Sequence, residues 1–74
     1  MGNNEAMRQV LMYRGEDNFW VAECPSLPGC ISQGETQDLA LANIKEAIEA
    51  YVATLEADHL PVPAEHFDAR LVTV

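Results

Sequence analysis

The chain has 74 residues, 49% of them apolar and 22% charged, a composition typical of one small globular domain and unlike that of disordered proteins. Four basic against twelve acidic residues give a formal net charge of −8, which disfavours direct contact with nucleic-acid phosphates and favours a basic partner. No apolar stretch approaches the roughly 20 residues of a membrane span, and the first residues lack the features of a signal peptide, so we expect a cytoplasmic protein.

A hairpin of two strands is predicted at the start of the chain. Residues 7–13, MRQVLMY, alternate with apolar side chains on both faces. Residues 19–24, FWVAEC, are rich in the aromatic and branched side chains that strands prefer. Residues 14–18, RGEDN, contain a glycine and an asparagine, which tolerate the backbone angles of tight turns. The two strands should therefore pair through that turn.

A loop rich in proline follows the second strand. Pro25 and Pro28 cannot donate hydrogen bonds to a sheet, so the strand should end near Cys24. The chain should then cross as a fixed loop, with Leu27 either in the core or in a dimer contact. Residues 30–32 are long enough for a short third strand only. We interpret the loop as scaffolding between strands.

The two cysteines could indicate a metal site or a nucleophile, and their surroundings argue against both. Cys24 and Cys30 are separated by five residues, more than in common zinc clips, and neither His59 nor His66 has a companion at ligand spacing. A nucleophilic cysteine would also need a histidine close in space and an acidic group to orient it. We expect two free, buried thiols, no metal ion and no cofactor.

One long helix is predicted after the third strand. Thr36 can cap its first backbone amides, and Asp38 in the first turn suits the positive end of the helix dipole. Asp58 and His59 are the last expected helical residues, because Leu60 precedes a proline. Apolar residues recur between these ends at three- and four-residue steps and form one stripe: Ala40, Leu41, Ile44, Ala47, Ile48, Tyr51, Val52 and Leu55.

Acidic residues occupy most of the other side of this helix. Glu46, Glu49 and Glu56 fall outside the apolar stripe and should face water or a partner. A charged face is usually only solvated, yet a net charge of −8 on so short a chain exceeds what solubility requires. Such a charge would steer a cationic protein towards this one. These three carboxylates are our candidates for contact with a basic partner protein.

The end of the chain is predicted to form a fourth strand. Residues 69–74, ARLVTV, alternate in the manner of a strand. A strand that follows a crossover helix usually lies parallel within the same sheet, so the sheet would be mixed. The predicted fold is an α+β, two-layer domain in the order β-β-β-α-β, with one helix on a four-stranded sheet and residues 1–74 in a single domain.

The second face of such a sheet has no helix to cover it. Phe19 and Trp20 alternate across the second strand, so one of the two rings should point away from the helix. An exposed apolar face marks an association surface, and a chain this short, which buries only about 60% of its unfolded surface, would gain from a second subunit. We expect Val10, Met12 and either Phe19 or Trp20 to support a homodimer or higher oligomer.

The stretch from residue 19 to residue 55 resembles the N-terminal domain of the HicB antitoxin family. It reads FWVAECPSLPGCISQGETQDLALANIKEAIEAYVATL and carries the family's pattern in order, from a proline-bracketed loop ending in LPGC to a threonine cap and a helix that contains asparagine. The matching residues are Pro25, Leu27, Pro28, Gly29, Cys30, Ser32, Gly34, Thr36, Asn43 and Ile44, followed by Glu46, Ala47 and Ile48. Tyr13 in the hairpin and the prolines at 61 and 63 also fit.

The chain departs from the family pattern at the start of the helix. Leu39 stands where the family usually has a glutamate, the acidic residue that would complete a capping box. Thr36 would then cap the helix alone, or with help from the charges of Glu35 and Asp38.

The resemblance implies a degraded ribonuclease-H-like fold and an antitoxin function. Family members commonly form dimers or larger assemblies, and many bind a small basic toxin that has a double-stranded-RNA-binding type of fold and cleaves messenger RNA with a histidine. Many also carry a C-terminal DNA-binding domain. Only about sixteen residues follow the predicted helix here, too few for such a domain, so we expect neither that domain nor direct nucleic-acid binding.

A catalytic function is not expected from these residues. Metal-assisted phosphoryl transfer needs several inward carboxylates at one end of a sheet, and the strands offer only Glu23, with Glu46 or Glu49 from the helix. The sequence predicts a HicB-like antitoxin that inhibits a small basic mRNA-cleaving toxin. The alternative is an orphan dimeric domain with a binding or regulatory role and no toxin partner.

Overall fold

Three short strands and one long helix make up the part of the chain that the structure describes. The computed structural model describes residues 7–65 and 70–74. Its elements, in chain order, are β1 (Leu11–Arg14), β2 (Trp20–Glu23), β3 (Ile31–Gly34) and α1 (Gln37–Ala57). The helix packs on one face of the sheet, mainly against β3 and also against β2. The predicted α+β class and the order of these four elements are confirmed.

The strands form one antiparallel sheet in the order β1-β2-β3. Met12 lies opposite Ala22, which in turn lies opposite Ser32, so these three side chains share the face that α1 covers. The turn between β1 and β2 contains Asn18 in the left-handed conformation, with φ 71°. Asparagine tolerates this region better than most residues, and the predicted hairpin is confirmed.

The first strand is shorter than its sequence pattern predicts: it begins at Leu11 and not at Met7. The register pairs Leu11 with Glu23, so a longer ladder would bring Gln9 opposite Pro25. Proline has no amide hydrogen to donate, and the chain bends into its loop at that point. The alternation before Leu11 therefore lacks a partner strand.

Main-chain hydrogen bonds fix the proline-rich loop. The Leu27 amide donates to the Cys24 carbonyl, the Cys30 amide to the Leu27 carbonyl, and the Cys24 amide to the Cys30 carbonyl, each at 3.0 Å. Gly29 has φ 83°, in the left-handed region that glycine adopts without a Cβ clash. Leu27 is fully buried, so the first of its two predicted positions, the core, is the observed one.

The helix begins as its sequence predicts. Thr36 is the N-cap, in extended conformation, and its hydroxyl accepts a hydrogen bond from the Leu39 amide at 3.1 Å. Asp38 is the acidic residue of the first turn. A cap of this kind stabilises a helix by about 1 kcal/mol.

The helix ends in a Schellman motif, which is made of two main-chain hydrogen bonds. The Leu60 amide donates to the Leu55 carbonyl at 2.9 Å, and the His59 amide donates to the Glu56 carbonyl at 3.1 Å. His59 takes a left-handed conformation, with φ 57°, at a position where glycine is most common. The helix thus ends at Ala57 with Asp58 as its C-cap, one to two residues before the predicted end.

The core lies between α1 and the face of the sheet that it covers. Its buried residues are Ala22, Cys24, Leu27, Cys30, Ala40 and Ile44. Gly34 lets the first turn of the helix approach β3 closely, because a Cβ atom there would lie 2.6 Å from the Ala40 amide nitrogen. This contact fixes the start of α1 above the end of β3.

The predicted fourth strand is not confirmed. Residues 70–74 pair with no strand, and Leu71 is 92% exposed. Ala69, with which the prediction began, lies outside the described residues. The described sheet is thus three-stranded and antiparallel, where the sequence predicted four strands and a mixed sheet. An alternating pattern shows that a segment can form a strand, and pairing also requires a neighbour in register.

Candidate binding surfaces

The acidic side of α1 faces solvent. Glu46, Glu49 and Glu56 are all exposed, as the sequence predicts for helix positions outside the apolar stripe. Glu49 and Glu56 are seven residues apart, about two turns, so they lie above one another on the side opposite Ala40 and Ile44. Glu46 lies about 60° round the helix axis from Glu49, towards the edge of β3.

The helix carries few cations to offset these carboxylates. Its acidic residues are Asp38, Glu46, Glu49 and Glu56, and its basic residue is Lys45. The last turn has no basic residue, although a cation there would interact well with the helix dipole. The negative charge therefore stays available to a cation from outside the chain.

The uncovered face of the sheet is apolar at several positions. Leu11 and Tyr13 on β1 are 41% and 43% exposed, and Ile31 on β3 is 56% exposed. The register places these three side chains, together with that of Val21 on β2, on the face opposite Ala22. This apolar face is the side of the sheet that α1 leaves uncovered.

The residues expected on that face lie largely on the other one. Val10, Met12 and Trp20 pack against the core, on the same side as Ala22. Phe19, the second option in the aromatic pair, is half-buried just before β2. The orientation expected for Val10 and Met12 was wrong, because a shift of one residue in a strand reverses the face of every side chain. Trp20 is the ring of the aromatic pair that faces the helix, which the prediction allowed. Self-association itself stays a prediction.

A tyrosine and a glutamate meet across the uncovered face. The Tyr13 hydroxyl donates to Glu23 Oε1 at 3.2 Å. Desolvation raises the pKa of Tyr13 above its usual value, and the negative charge and hydrogen bond of Glu23 raise it further. Glu23 is thus engaged with a neighbouring strand of its own sheet, and among the described residues it belongs to no group of three or more His, Cys, Asp or Glu side chains that could hold a metal ion.

A buried arginine joins three distant parts of the chain, and the sequence analysis missed it. The Arg8 side chain is 2% exposed. Its guanidinium donates to Ser26 Oγ at 2.9 Å and to the Pro63 carbonyl at 2.7 Å, and it lies 3.8 Å from Glu65 Oε1. Ser26 Oγ donates in turn to Glu65 Oε1 at 2.7 Å. The segment after the helix is thereby tied to the proline-rich loop.

A sequence signal for this buried arginine exists. Arg8 lies two and four residues before Val10 and Met12, which both pack against the core. In an extended chain, residues two apart point to the same side. A charged residue in line with core residues must find acceptors inside the fold, because an unpaired buried charge is costly. The two-residue spacing from Val10 and Met12 could therefore have indicated that Arg8 has a structural role.

A shallow cavity of about 510 Å³ lies beside the start of β3. Residues 29–31 form one wall, and α1 forms the other with Ala47, Ala50, Tyr51, Thr54 and Leu55. The Tyr51 hydroxyl donates to the Pro28 carbonyl at 2.8 Å. Asn43 Nδ2 donates to the Gln33 carbonyl, also at 2.8 Å. The family pattern includes Asn43, and this contact gives the residue a structural role at the sheet edge.

The cysteines are free and buried, as predicted. Burial raises the pKa of the Cys30 thiol, and the neighbouring Cys24 raises it further, so the nucleophilic thiolate form is disfavoured. Within residues 7–65 and 70–74, no group of three or more His, Cys, Asp or Glu side chains is placed to hold a metal ion. His66, one of the two histidines considered as ligands, lies outside those ranges.

The helix is amphipathic and does not resemble a membrane span. Over the described part of the chain, no helix combines the length and the apolar character needed to cross a membrane.

Comparison with known proteins places the chain among bacterial and archaeal relatives. Residues 9–71 match the family model described as a HicB-like antitoxin of bacterial toxin-antitoxin systems. A UPF0150 protein of Thermoplasma acidophilum is 42% identical over 65 residues, which cover 88% of this chain and 91% of that protein. A UPF0150 protein of Synechocystis is 50% identical over 65 residues, covering 88% of this chain and 82% of that protein. No solved structure matches the chain.

Proposed function

Because the chain belongs to the family of HicB-like antitoxins, we propose that it binds and inhibits a small basic toxin that cleaves messenger RNA. The binding takes place in the cytoplasm, and the chain itself performs no catalytic step. Its contribution is a surface that covers the toxin's active site, with no nucleic acid bound directly by the antitoxin.

The exposed acidic side of α1 is the observation that carries this proposal. Glu49 and Glu56 lie on one side of α1, and Glu46 flanks them. The whole chain carries a net charge of −8. Charge of this kind accelerates the encounter with a basic protein and orients it. The resulting complex should weaken as salt screens the charges.

Reversing two of these charges tests the proposal. We expect Glu49→Lys with Glu56→Lys to weaken toxin binding at low salt by about tenfold or more. The measurement begins with a tagged pull-down from the native host, in which a small basic protein should be retained at low salt and released at high salt. The released protein should degrade RNA when free and not when recombined with the antitoxin.

A matched control separates the helix surface from net charge. Glu16→Lys with Asp17→Lys makes the same change in total charge, from −8 to −8 + 4 = −4, at the exposed turn between β1 and β2. This variant should retain nearly full affinity. Equal loss in both variants would rule out a specific contact at the helix, and recovery of no basic RNA-degrading protein would rule out the toxin partner.

The uncovered sheet face supports a second candidate function. Leu11, Tyr13 and Ile31 are exposed there, and a surface of this type suits association with another protein or another copy. The second candidate is therefore an orphan dimeric binding domain without a toxin. A pull-down that returns only this chain, as a dimer, would favour it.

The ribonuclease-H-like arrangement also stays part of the proposal. Arg70 and Leu71 line a cavity together with residues 9–11, Glu23 and Pro25, so they lie close to the start of β1. A fourth strand added at the free edge of β1 would give the predicted four-stranded sheet. A stretch of protected amides in residues 70–74, seen by hydrogen exchange, would support this addition.

A further inference from the structure

The two free cysteines lie opposite each other where the proline-rich loop joins the sheet. The register pairs Glu23 with Ile31, so Cys24 and Cys30 are the next pair along the same ladder. The Cys24 amide donates to the Cys30 carbonyl at 3.0 Å, as in a hydrogen-bonded pair. Residues opposite each other in such a pair have Cα atoms about 5.5 Å apart. Disulfides join residues whose Cα atoms are roughly 4.4–6.8 Å apart, so this pair is within bonding range.

Both thiols also project to the same side of the sheet. Opposite residues of an antiparallel ladder share a face, and Cys24 and Cys30 are both buried in the core that α1 covers. Burial raises the pKa of the Cys30 thiol, and the charge of Cys24 raises it further, which agrees with two neighbouring sulfur atoms. The two side chains therefore have the placement that a disulfide requires.

One of the two thiols borders a surface cavity. Together with Gly29 and Ile31, Cys30 lines the shallow cavity of about 510 Å³ beside the start of β3. Among the described residues, the lining includes Cys30 and not Cys24. The Cys24 Sγ lies 3.5 Å from Ser26 Oγ, on the side of the loop that contacts Arg8. A small oxidant that enters the cavity thus meets Cys30 first, with Cys24 behind it.

We propose that Cys24 and Cys30 form a reversible redox site whose oxidised form is an intramolecular disulfide. Hydrogen peroxide transfers one oxygen atom to the Cys30 sulfur, which gives a sulfenic acid and one water. The Cys24 sulfur then attacks that sulfur, so that the S–S bond forms, the S–O bond breaks and a second water leaves. The two thiols lose two electrons and two protons in all, and glutathione returns them by thiol–disulfide exchange.

The disulfide would close a covalent ring around the proline-rich loop. This ring contains Leu27, which is fully buried, and Ser26, which accepts a hydrogen bond from Arg8. The Cys24 sulfur would turn from Ser26 towards Cys30, and the loop would no longer separate from the sheet. The oxidised chain should therefore resist unfolding. The site lies away from the acidic side of α1, so this inference does not rest on the proposed toxin binding.

Equilibration with glutathione tests the proposal. The folded chain and the chain unfolded in urea are each brought to equilibrium with reduced and oxidised glutathione, free thiols are alkylated, and masses are measured. We expect a monomer that has lost the mass of two hydrogens, with an equilibrium constant for disulfide formation about tenfold or more larger in the folded chain. By linkage, this preference should raise the Tm of the oxidised chain by about 5–10 °C. Hydrogen peroxide should give the same product from the folded chain.

A chain of identical composition provides the matched control. Cys30→Ser with Ser32→Cys moves the second thiol two residues along the same face of β3. This diagonal places the two cysteines about 7–8 Å apart, beyond the usual range of a disulfide. The equilibrium constant of the folded variant should therefore fall at least to its value in urea, with helix content in circular dichroism unchanged.

Three results would overturn the proposal. The first is an equilibrium constant in the folded unmodified chain that is no larger than in urea, a comparison that needs no substitution. The second is an equally large constant in the folded exchanged variant. The third is oxidation of the folded chain that gives only glutathione adducts, sulfinic acid or disulfides between chains.

Discussion

Arg8 shows how one residue can hold together segments that the strands and the helix leave apart. Its guanidinium is enclosed and contacts Ser26, Pro63 and Glu65, which lie in the loop and in the chain after α1. The planar fork of arginine reaches two acceptors at once, which the single ammonium of lysine cannot do in the same geometry. The contact therefore depends on the shape of the side chain as well as on its charge.

Replacing this arginine with lysine should lower stability while preserving charge. We expect Arg8→Lys to reduce the free energy of unfolding by about 1–3 kcal/mol, since buried acceptors lose their donors. Arg70→Lys, at an exposed position, should change it by less than about 0.5 kcal/mol. Urea denaturation followed by circular dichroism measures both values, and equal effects of the two substitutions would contradict a structural role for Arg8.

The sequence predicted single residues well where the cause is local. Thr36 caps the helix because a hydroxyl at that position reaches the amides of the first turn, and no distant residue is involved. The outward face of the sheet was misjudged at Val10 and Met12, because the assignment depends on register. Register is set by pairing between strands, and one chain segment alone does not reveal it.

At the scale of elements, α1 is the best-predicted part of the fold. Its apolar repeat, its N-cap and the proline after it agree with one another, and the observed Gln37–Ala57 follows from all three. The strands are less predictable because each is only four residues long. Pro25 shortens β1 from across the sheet, an effect that the pattern in residues 7–13 does not contain.

The C-terminal end of α1 offers a stabilising substitution. His59 occupies a left-handed position, which costs a residue with a Cβ atom about 1–2 kcal/mol relative to glycine. We expect His59→Gly to raise the free energy of unfolding by about 1 kcal/mol, because glycine adopts this conformation without the Cβ clash. The main-chain hydrogen bonds donated by the amides of residues 59 and 60 remain possible in this variant. Thermal unfolding measures the gain. His59→Ala keeps the Cβ atom and should give none, so a similar gain from alanine would refute this explanation.

At the scale of the whole molecule, the hydrophobic core consists of few large side chains. Its two largest fully buried side chains are Leu27, from the loop, and Ile44, from α1. A domain of this size has only about 3–5 kcal/mol of stability from its core, so single contacts matter. The proline-rich loop thus contributes to stability directly, in addition to connecting two strands.

Truncating the buried leucine should remove most of the stability. We expect Leu27→Ala to cost about 2–5 kcal/mol, from lost burial and from the cavity left behind. Leu41→Ala provides the comparison, since Leu41 is 44% exposed on α1 and should cost much less. Urea midpoints give both numbers, and comparable losses would show that Leu27 does not anchor the core.

Most contacts between elements join segments that are neighbours in the chain, which favours rapid folding. Strands β1, β2 and β3 are neighbours in the sheet in the same order as in the chain, and α1 packs against the strand that precedes it. Only short loops must close to bring these elements together, and such topologies fold rapidly. The contact of Arg8 with Pro63 spans 55 residues and is an exception. Sheet and helix can therefore assemble without the segment after residue 57, and Arg8 ties that segment to the proline-rich loop.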